Sequence, residues 1–115
     1  PHTEAPVWLH GDLHPANILV HRGAIAAVID FGDLTSGDPA TDLSLAWMMF
    51  DARQREIFRE AAGGCHQDTW TRARGNALAH ALACLASSSD DPTIAAIGMQ
   101  TLRLVLGDSP PSAGQ

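Results

Sequence analysis

Lysine is missing from this chain: all seven of its basic residues are arginine. Any chemistry that grips a phosphate with a lysine must borrow that group from outside these 115 residues. Cysteine is scarce, with Cys65 and Cys84 alone and no CxxC spacing. That spacing argues against a zinc ribbon or a redox pair and leaves core thiols, which suits a reducing cytoplasm. Apolar runs are short and broken by polar residues, well below the roughly 18 residues that cross a bilayer, so no membrane partner is expected. Basic charge is also thin: 7 Arg against 13 acidic residues give a net charge of -6. Nucleic-acid and anionic-membrane surfaces recruit clustered Lys and Arg, so neither is an expected partner, whereas a cationic ligand is permitted. No internal repeat and no glycine-rich phosphate loop precede His10.

What is present suits one compact domain, with 45% hydrophobic residues and a length too small for two ordinary domains. The first residue is Pro1 and not Met, from which a processed or excised piece of a longer protein is expected. Val7 to Leu9 reads as a strand entering a loop punctuated by Gly11 and Pro15. The β-branched runs Ile18 to Val20 and Ile25 to Ile29, joined by His21-Arg22-Gly23, predict a hairpin whose second strand ends at Asp30.

Beyond Ser36-Gly37 the period changes. Asp38 as N-cap, Pro39 at the first helical position, and Leu43, Ala46, Trp47 and Phe50 on one stripe predict an amphipathic helix. Three more helices are expected. They cover Ala52 to Ala62 before Gly63-Gly64, Thr69 to Ala86 with Trp70, Leu78, Leu82 and Leu85 inward, and Thr93 to Leu106 opened by Asp91-Pro92. Gly75 and Gly98 each weaken their helix by about 1 kcal/mol relative to Ala. Ser87 to Asp90 reads as a connecting loop and Asp108 to Gln115 as a disordered tail.

The chemistry concentrates in HGDLHPANILVHRGAIAAVIDFGD, from His10 to Asp33. Asp12, Asn17 and Asp30 are oxygen-bearing side chains that a loop and hairpin can bring to one place. Hard oxygen donors of this kind suit Mg²⁺, which takes one or two protein groups and fills the rest with phosphate oxygens and water. A carboxylate beside such a metal suits phosphoryl transfer, where it orients and deprotonates an attacking hydroxyl.

His-Gly-Asp-Leu-His-Pro-Ala-Asn followed by Ile-Asp-Phe-Gly resembles the catalytic loop and metal-binding element of the kinase-like superfamily, closest to its aminoglycoside phosphotransferase and choline kinase branch. The resemblance is sharp from Trp8 to Leu45 and compositional beyond. It implies a protein-kinase-like C-terminal lobe, of α/β (α+β, mainly helical) class over residues 1–107, with a short β-hairpin carrying the catalytic loop. It implies Asp12 as catalytic base, Asn17 and Asp30 as Mg²⁺ and nucleotide ligands, and His14 as a hydrogen-bond partner of the transferring phosphoryl group. His10 would pin the loop to the Asp30-Phe31-Gly32 backbone, and Asp42 would brace the loop from a helix. Asp33 and Asp38 have two readings, outer-shell acids or loop solvation and helix capping.

The implied reaction passes the γ-phosphoryl group of ATP or GTP to a hydroxyl of a small molecule. A cationic aminoglycoside antibiotic is one candidate acceptor, with acidic helices as its cleft. Members of the superfamily carry a preceding N-terminal lobe that supplies the phosphate-contacting lysine, so this chain resembles a C-terminal-lobe fragment that transfers phosphate poorly alone. Two alternatives stand beside it: a kinase-fold binding domain without catalysis, and a metal-dependent phosphoesterase suggested by Gly11-Asp12-Leu13-His14. The second lacks the further His and Asp ligands such enzymes need. A helical zinc pair of His10 and His14 is disfavoured because Gly11 occupies the place of the Glu and Pro15 breaks the helix.

Overall fold

The structure, a computed structural model, describes residues 5–87 and 90–107. The expected tail from Asp108 onward, and Ser88 and Ser89 of the expected loop, lie outside these residues. The described chain is mixed, with two small antiparallel sheets first and helices after them.

Strand β1 (Val7–Leu9) leads into the loop, and strands β2 (Ile18–His21) and β3 (Ala24–Val28) make the expected hairpin. Ile18 faces Val28 and His21 faces Ala24, with an irregularity between Leu19 and Val20. Both turn residues, Arg22 (φ 53°) and Gly23 (φ 78°), are left-handed, the geometry that matches the twist of a two-residue hairpin. A fourth strand, β4 (Thr35–Gly37), pairs with β1, Val7 opposite Gly37 and Leu9 opposite Thr35. Three residues of Thr, Ser and Gly carry little strand signal of their own; the pairing is made by tertiary contact.

The single helix expected after Asp38 is instead two short helices, α1 (Ala40–Leu43) and α2 (Ala46–Met49). Between them the bonds tighten to three-residue spacing: Leu45 N–H to Asp42 O (3.2 Å), Trp47 N–H to Ser44 O (3.0 Å) and Met48 N–H to Leu45 O (2.9 Å). Tightening of this kind turns side chains that an ideal α-helix would spread. As a result Leu45, Ala46, Trp47 and Met48 are all buried in succession.

Helix α3 (Ala52–Ala61) opens on a capping box between Asp51 and Gln54 and stops at Gly63 and Gly64, both left-handed. Helix α4 (Gln67–Ala86) begins two residues earlier than expected, because the His66 ring accepts from the Asp68 N–H at 3.1 Å. Its inward face keeps the expected Trp70 and, half-buried, Leu78 and Leu85, but not Leu82, and small residues fill the rest. Ala73, Ala77 and Ala81 are fully buried with Trp70 and Cys84, whereas Leu82 is 54% exposed.

Small residues win this face because α5 (Pro92–Leu106) packs close against it. A Cβ at Gly98 of α5 would lie 3.0 Å from Leu85 Cγ and 3.2 Å from the Ala81 carbonyl oxygen. Gly98, read from sequence as a weak point, is a point of close approach between the two helices.

The larger core joins Trp47 to Trp70, with ring centroids 4.5 Å apart, among Ala40, Ala46, Ala73, Ala77 and Val105. Fully burying such a ring is worth about 2–3 kcal/mol. A second cluster of Ile18, Leu45 and Met48, with Leu13 against it, fastens the hairpin and loop onto α2. Asp38 pairs with Arg72 at 2.8 Å, and Gln100 Nε2 donates to the Met48 carbonyl at 2.6 Å. These contacts hold α1, α2, α4 and α5 behind the loop. Among the described residues no helix is long and apolar enough to cross a membrane.

Candidate active site

The loop from His10 to Asn17 is built on a glycine and a carboxylate. Gly11 is left-handed (φ 92°), and a Cβ there would strike the Asp33 carbonyl, so no other residue fits without strain. Asp42, reaching back from α1, accepts the His10 N–H through Oδ2 at 2.7 Å and the Gly11 N–H through Oδ1 at 3.1 Å. A carboxylate holding two amides is a strong brace, as hydrogen bonds to an ionised group are roughly twice as strong as neutral ones.

His10 is buried, and its Nδ1 accepts from the Asp12 N–H at 3.1 Å. The proton is therefore on Nε2, which donates to the Ile29 carbonyl at 2.7 Å. Its ring also meets the Phe31 ring at 4.6 Å. The expected tether to the Asp30–Gly32 backbone is thus one residue earlier, at Ile29.

A short 3₁₀ turn, Pro15–Asn17, completes the loop, capped by the His14 ring accepting the Ala16 N–H at 3.2 Å. Asn17 is buried; its Nδ2 donates to the Asp12 carbonyl at 2.7 Å and approaches Asp12 Oδ2 at 3.4 Å. Its own carbonyl accepts the Ile29 N–H at 2.9 Å. Asn17 therefore ties Asp12 to the end of the strand that leads into Asp30. With Nδ2 spent, the amide oxygen Oδ1 remains as a hard donor.

Asp30 is one of two non-glycine residues with positive φ (63°) among the described residues, a backbone strain of order 1–3 kcal/mol. Gly32 follows closely enough that a Cβ would lie 3.6 Å from Asp30 Oδ1. Asp12 keeps 42% of its side chain exposed, so its carboxylate is reachable from solvent; His14 Nε2 lies 3.5 Å from its Oδ1.

No three His, Cys, Asp or Glu side chains among the described residues gather as a metal site. Asn17 Oδ1 and the Asp30 carboxylate are nevertheless two hard oxygens on adjoining segments, and Mg²⁺ asks the protein for only one or two. The donor set fits that ion. It does not fit zinc at His10 and His14: His10 spends both ring nitrogens, on the Asp12 N–H and the Ile29 carbonyl, and His14 Nδ1 accepts the Ala16 N–H. Asp38, the possible outer-shell acid, is spent on the Ala40 N–H and on Arg72.

One residue near Asp12 escaped the sequence. His80 of α4 stacks on His14 at 5.6 Å, and both ring nitrogens lie 3.7–3.8 Å from Cys84 Sγ. Burial, then the neighbouring His14, push its pKa below the ordinary 6.5, with Asp12 opposing. Asn76, His80 and Cys84 recur every four residues, a polar stripe visible in an Ala- and Leu-rich helix. Nothing in that spacing says which loop the stripe faces.

The loop, tied by amide and imidazole to a strand end, thus presents one reachable carboxylate. The sequence profile of the phosphotransferase enzyme family (APH) matches residues 1–76. The chain belongs to that family, the aminoglycoside phosphotransferase and choline kinase-like group. No curated protein and no solved structure matches the chain.

Proposed function

We propose that this chain is the catalytic-loop lobe of a kinase-type enzyme that passes the γ-phosphoryl group of ATP or GTP to a hydroxyl of a small molecule. The observation that carries this reading is Asn17, whose side chain holds Asp12 while its carbonyl holds the strand end before Asp30. One residue thereby fixes the base against the metal side.

Asp12 orients the acceptor hydroxyl and takes its proton as the oxygen attacks. The exposed carboxylate edge suits this, because a general base must come within hydrogen-bond reach of the proton it removes. His14, beside Asp12, is placed to donate to an oxygen of the transferred group. Asn17 Oδ1 and Asp30 would hold Mg²⁺, which neutralises phosphate charge when bound.

A second lobe would supply the lysine this chain lacks. Its seat is the strand side, where Trp8 (78% exposed), Val20, Ile25, Phe31 and Leu34 present apolar surface to solvent, more than scattered exposure would leave on one segment.

The test is nucleotide consumption by the chain joined to its nucleotide-binding lobe, assayed over a panel of small alcohols. Asp12→Ala should lower turnover by about 10²–10⁴-fold with nucleotide affinity nearly unchanged, while Asp30→Ala should weaken nucleotide binding in Mg²⁺. Equal loss of affinity in both variants would point to a structural role for Asp12 and against the assignment.

A further inference from the structure

A cavity of about 350 Å³ opens beside Asp12, walled by Gly11 to His14 on one side and by Asn76, Ala79 and His80 of α4 on the other. Thr41, Ser44 and Met48 close its floor. It is at the small end of ligand sites, which run from about 300 to 1,000 Å³.

Its chemistry is that of uncharged hydrogen-bonding groups: an amide, imidazoles and hydroxyls. Among the described lining residues Asp12 is the one acid. Two acids of the adjoining α1 segment are committed elsewhere: Asp42 holds two loop amides and Asp38 pairs with Arg72. A polycation entering here would leave ammonium groups without carboxylate partners, and burying an unpaired charge is strongly unfavourable. Vicinal hydroxyls, each donor and acceptor, match an amide and a neutral imidazole.

We propose that this cavity is the acceptor subsite, that it takes an uncharged polyol of about monosaccharide size rather than a polycationic aminoglycoside, and that His80 and Asn76 determine that choice. The inference rests on the phosphotransferase reading above. A depressed pKa keeps His80 neutral at pH 7 and able to accept as well as donate. Cys84, its neighbour on α4, lies 3.7–3.8 Å from both ring nitrogens and is a weak partner that a ligand hydroxyl can replace.

The test is NMR titration of the labelled chain, following the side chains of His80 and Asn76 with methyl α-glucoside and, separately, kanamycin. Saturable shifts at both residues with the glucoside, and none there with kanamycin, are expected. Asn76→Ala and His80→Ala should each weaken glucoside binding about fivefold, the loss of one hydrogen bond, with backbone spectra otherwise unchanged, and His80→Gln should recover most of it. No glucoside shift at these residues, or saturable kanamycin binding in their place, overturns the proposal. Broadening of Asn17 and Asp30 by Mn²⁺, reversed by Mg²⁺, reads the metal side separately. Broadening without glucoside binding sinks only the acceptor inference, whereas its absence sinks the phosphotransferase reading and this inference with it.

Discussion

Asp42 holds His10 by its backbone rather than by its ring: the carboxylate Oδ2 accepts the His10 N–H at 2.7 Å, while the imidazole is left to grip Ile29. The loop from His10 to Asn17 is thereby fixed from α1 and from the hairpin at once. Asp42→Ala strips two amides of a charged acceptor and should cost about 2–6 kcal/mol of unfolding free energy, at about 1–3 kcal/mol for each group left unsatisfied. Asp42→Asn, which keeps one acceptor oxygen, should cost about half as much. Urea unfolding midpoints compare the two; equal midpoints for Asp42→Ala and the parent chain would remove the brace.

Two helix glycines make opposite predictions. Gly75 has open space around its missing Cβ, so Gly75→Ala should stabilise by about 0.5–1 kcal/mol from helix propensity alone. At Gly98 the same gain meets a Cβ within 3.0–3.2 Å of Leu85, Cys84 and the Ala81 carbonyl, and overpacking costs about 1–3 kcal/mol. Gly98→Ala should therefore destabilise on balance. Thermal melts of the pair decide it, and a rise in Tm for both would show that α4 and α5 have room between them.

Asn17→Asp supplies another oxygen for a metal yet removes the donor that holds the Asp12 carbonyl, and sets a second carboxylate 3.4 Å from the first. Without metal the variant should lose about 1–3 kcal/mol. Added Mn²⁺ should restore part of it by neutralising the pair. Calorimetry with and without Mn²⁺ measures the recovery; an unchanged Tm in the absence of metal would contradict the role given to the Asn17 amide.

His80 should impose an acid limit on stability. Its pKa is lowered in the fold, first by burial and then by His14, with Asp12 opposing and the Cys84 thiol beside it. Above its ordinary value of 6.5 the group is neutral in both folded and unfolded chain, so stability is intact. As pH falls through 6.5 toward the lowered value, the unfolded chain takes up a proton that the fold resists, and stability is lost. His80→Gln should flatten this part of the profile between pH 7 and 5, read from urea midpoints; an identical slope in the variant would exclude His80 as the cause.

The loop and hairpin were legible because they are local. His10 to Asn17 and Asp30 to Gly32 are short segments whose turn residues and spacing survive in sequence, and the hairpin that joins them is rich in β-branched residues. The opening of α5 was legible for the same reason: Asp91 acts on amides within three residues. The split of α1 from α2 was not, since it comes from how Leu45 to Met48 must face two cores at once.

Sequence by itself determined the glycine- and proline-punctuated loop, the hairpin and the positions of four helical regions, because each depends on neighbours a few residues apart. Only the tertiary structure decided that Thr35–Gly37 would pair with β1, and that α4 would turn alanines inward and Leu82 out. It also decided that His80, 66 residues beyond His14, would share its cavity. Those outcomes follow from the close approach of α5 at Gly98 and the docking of α4 against the loop, packing constraints between segments far apart in the chain that no local pattern encodes.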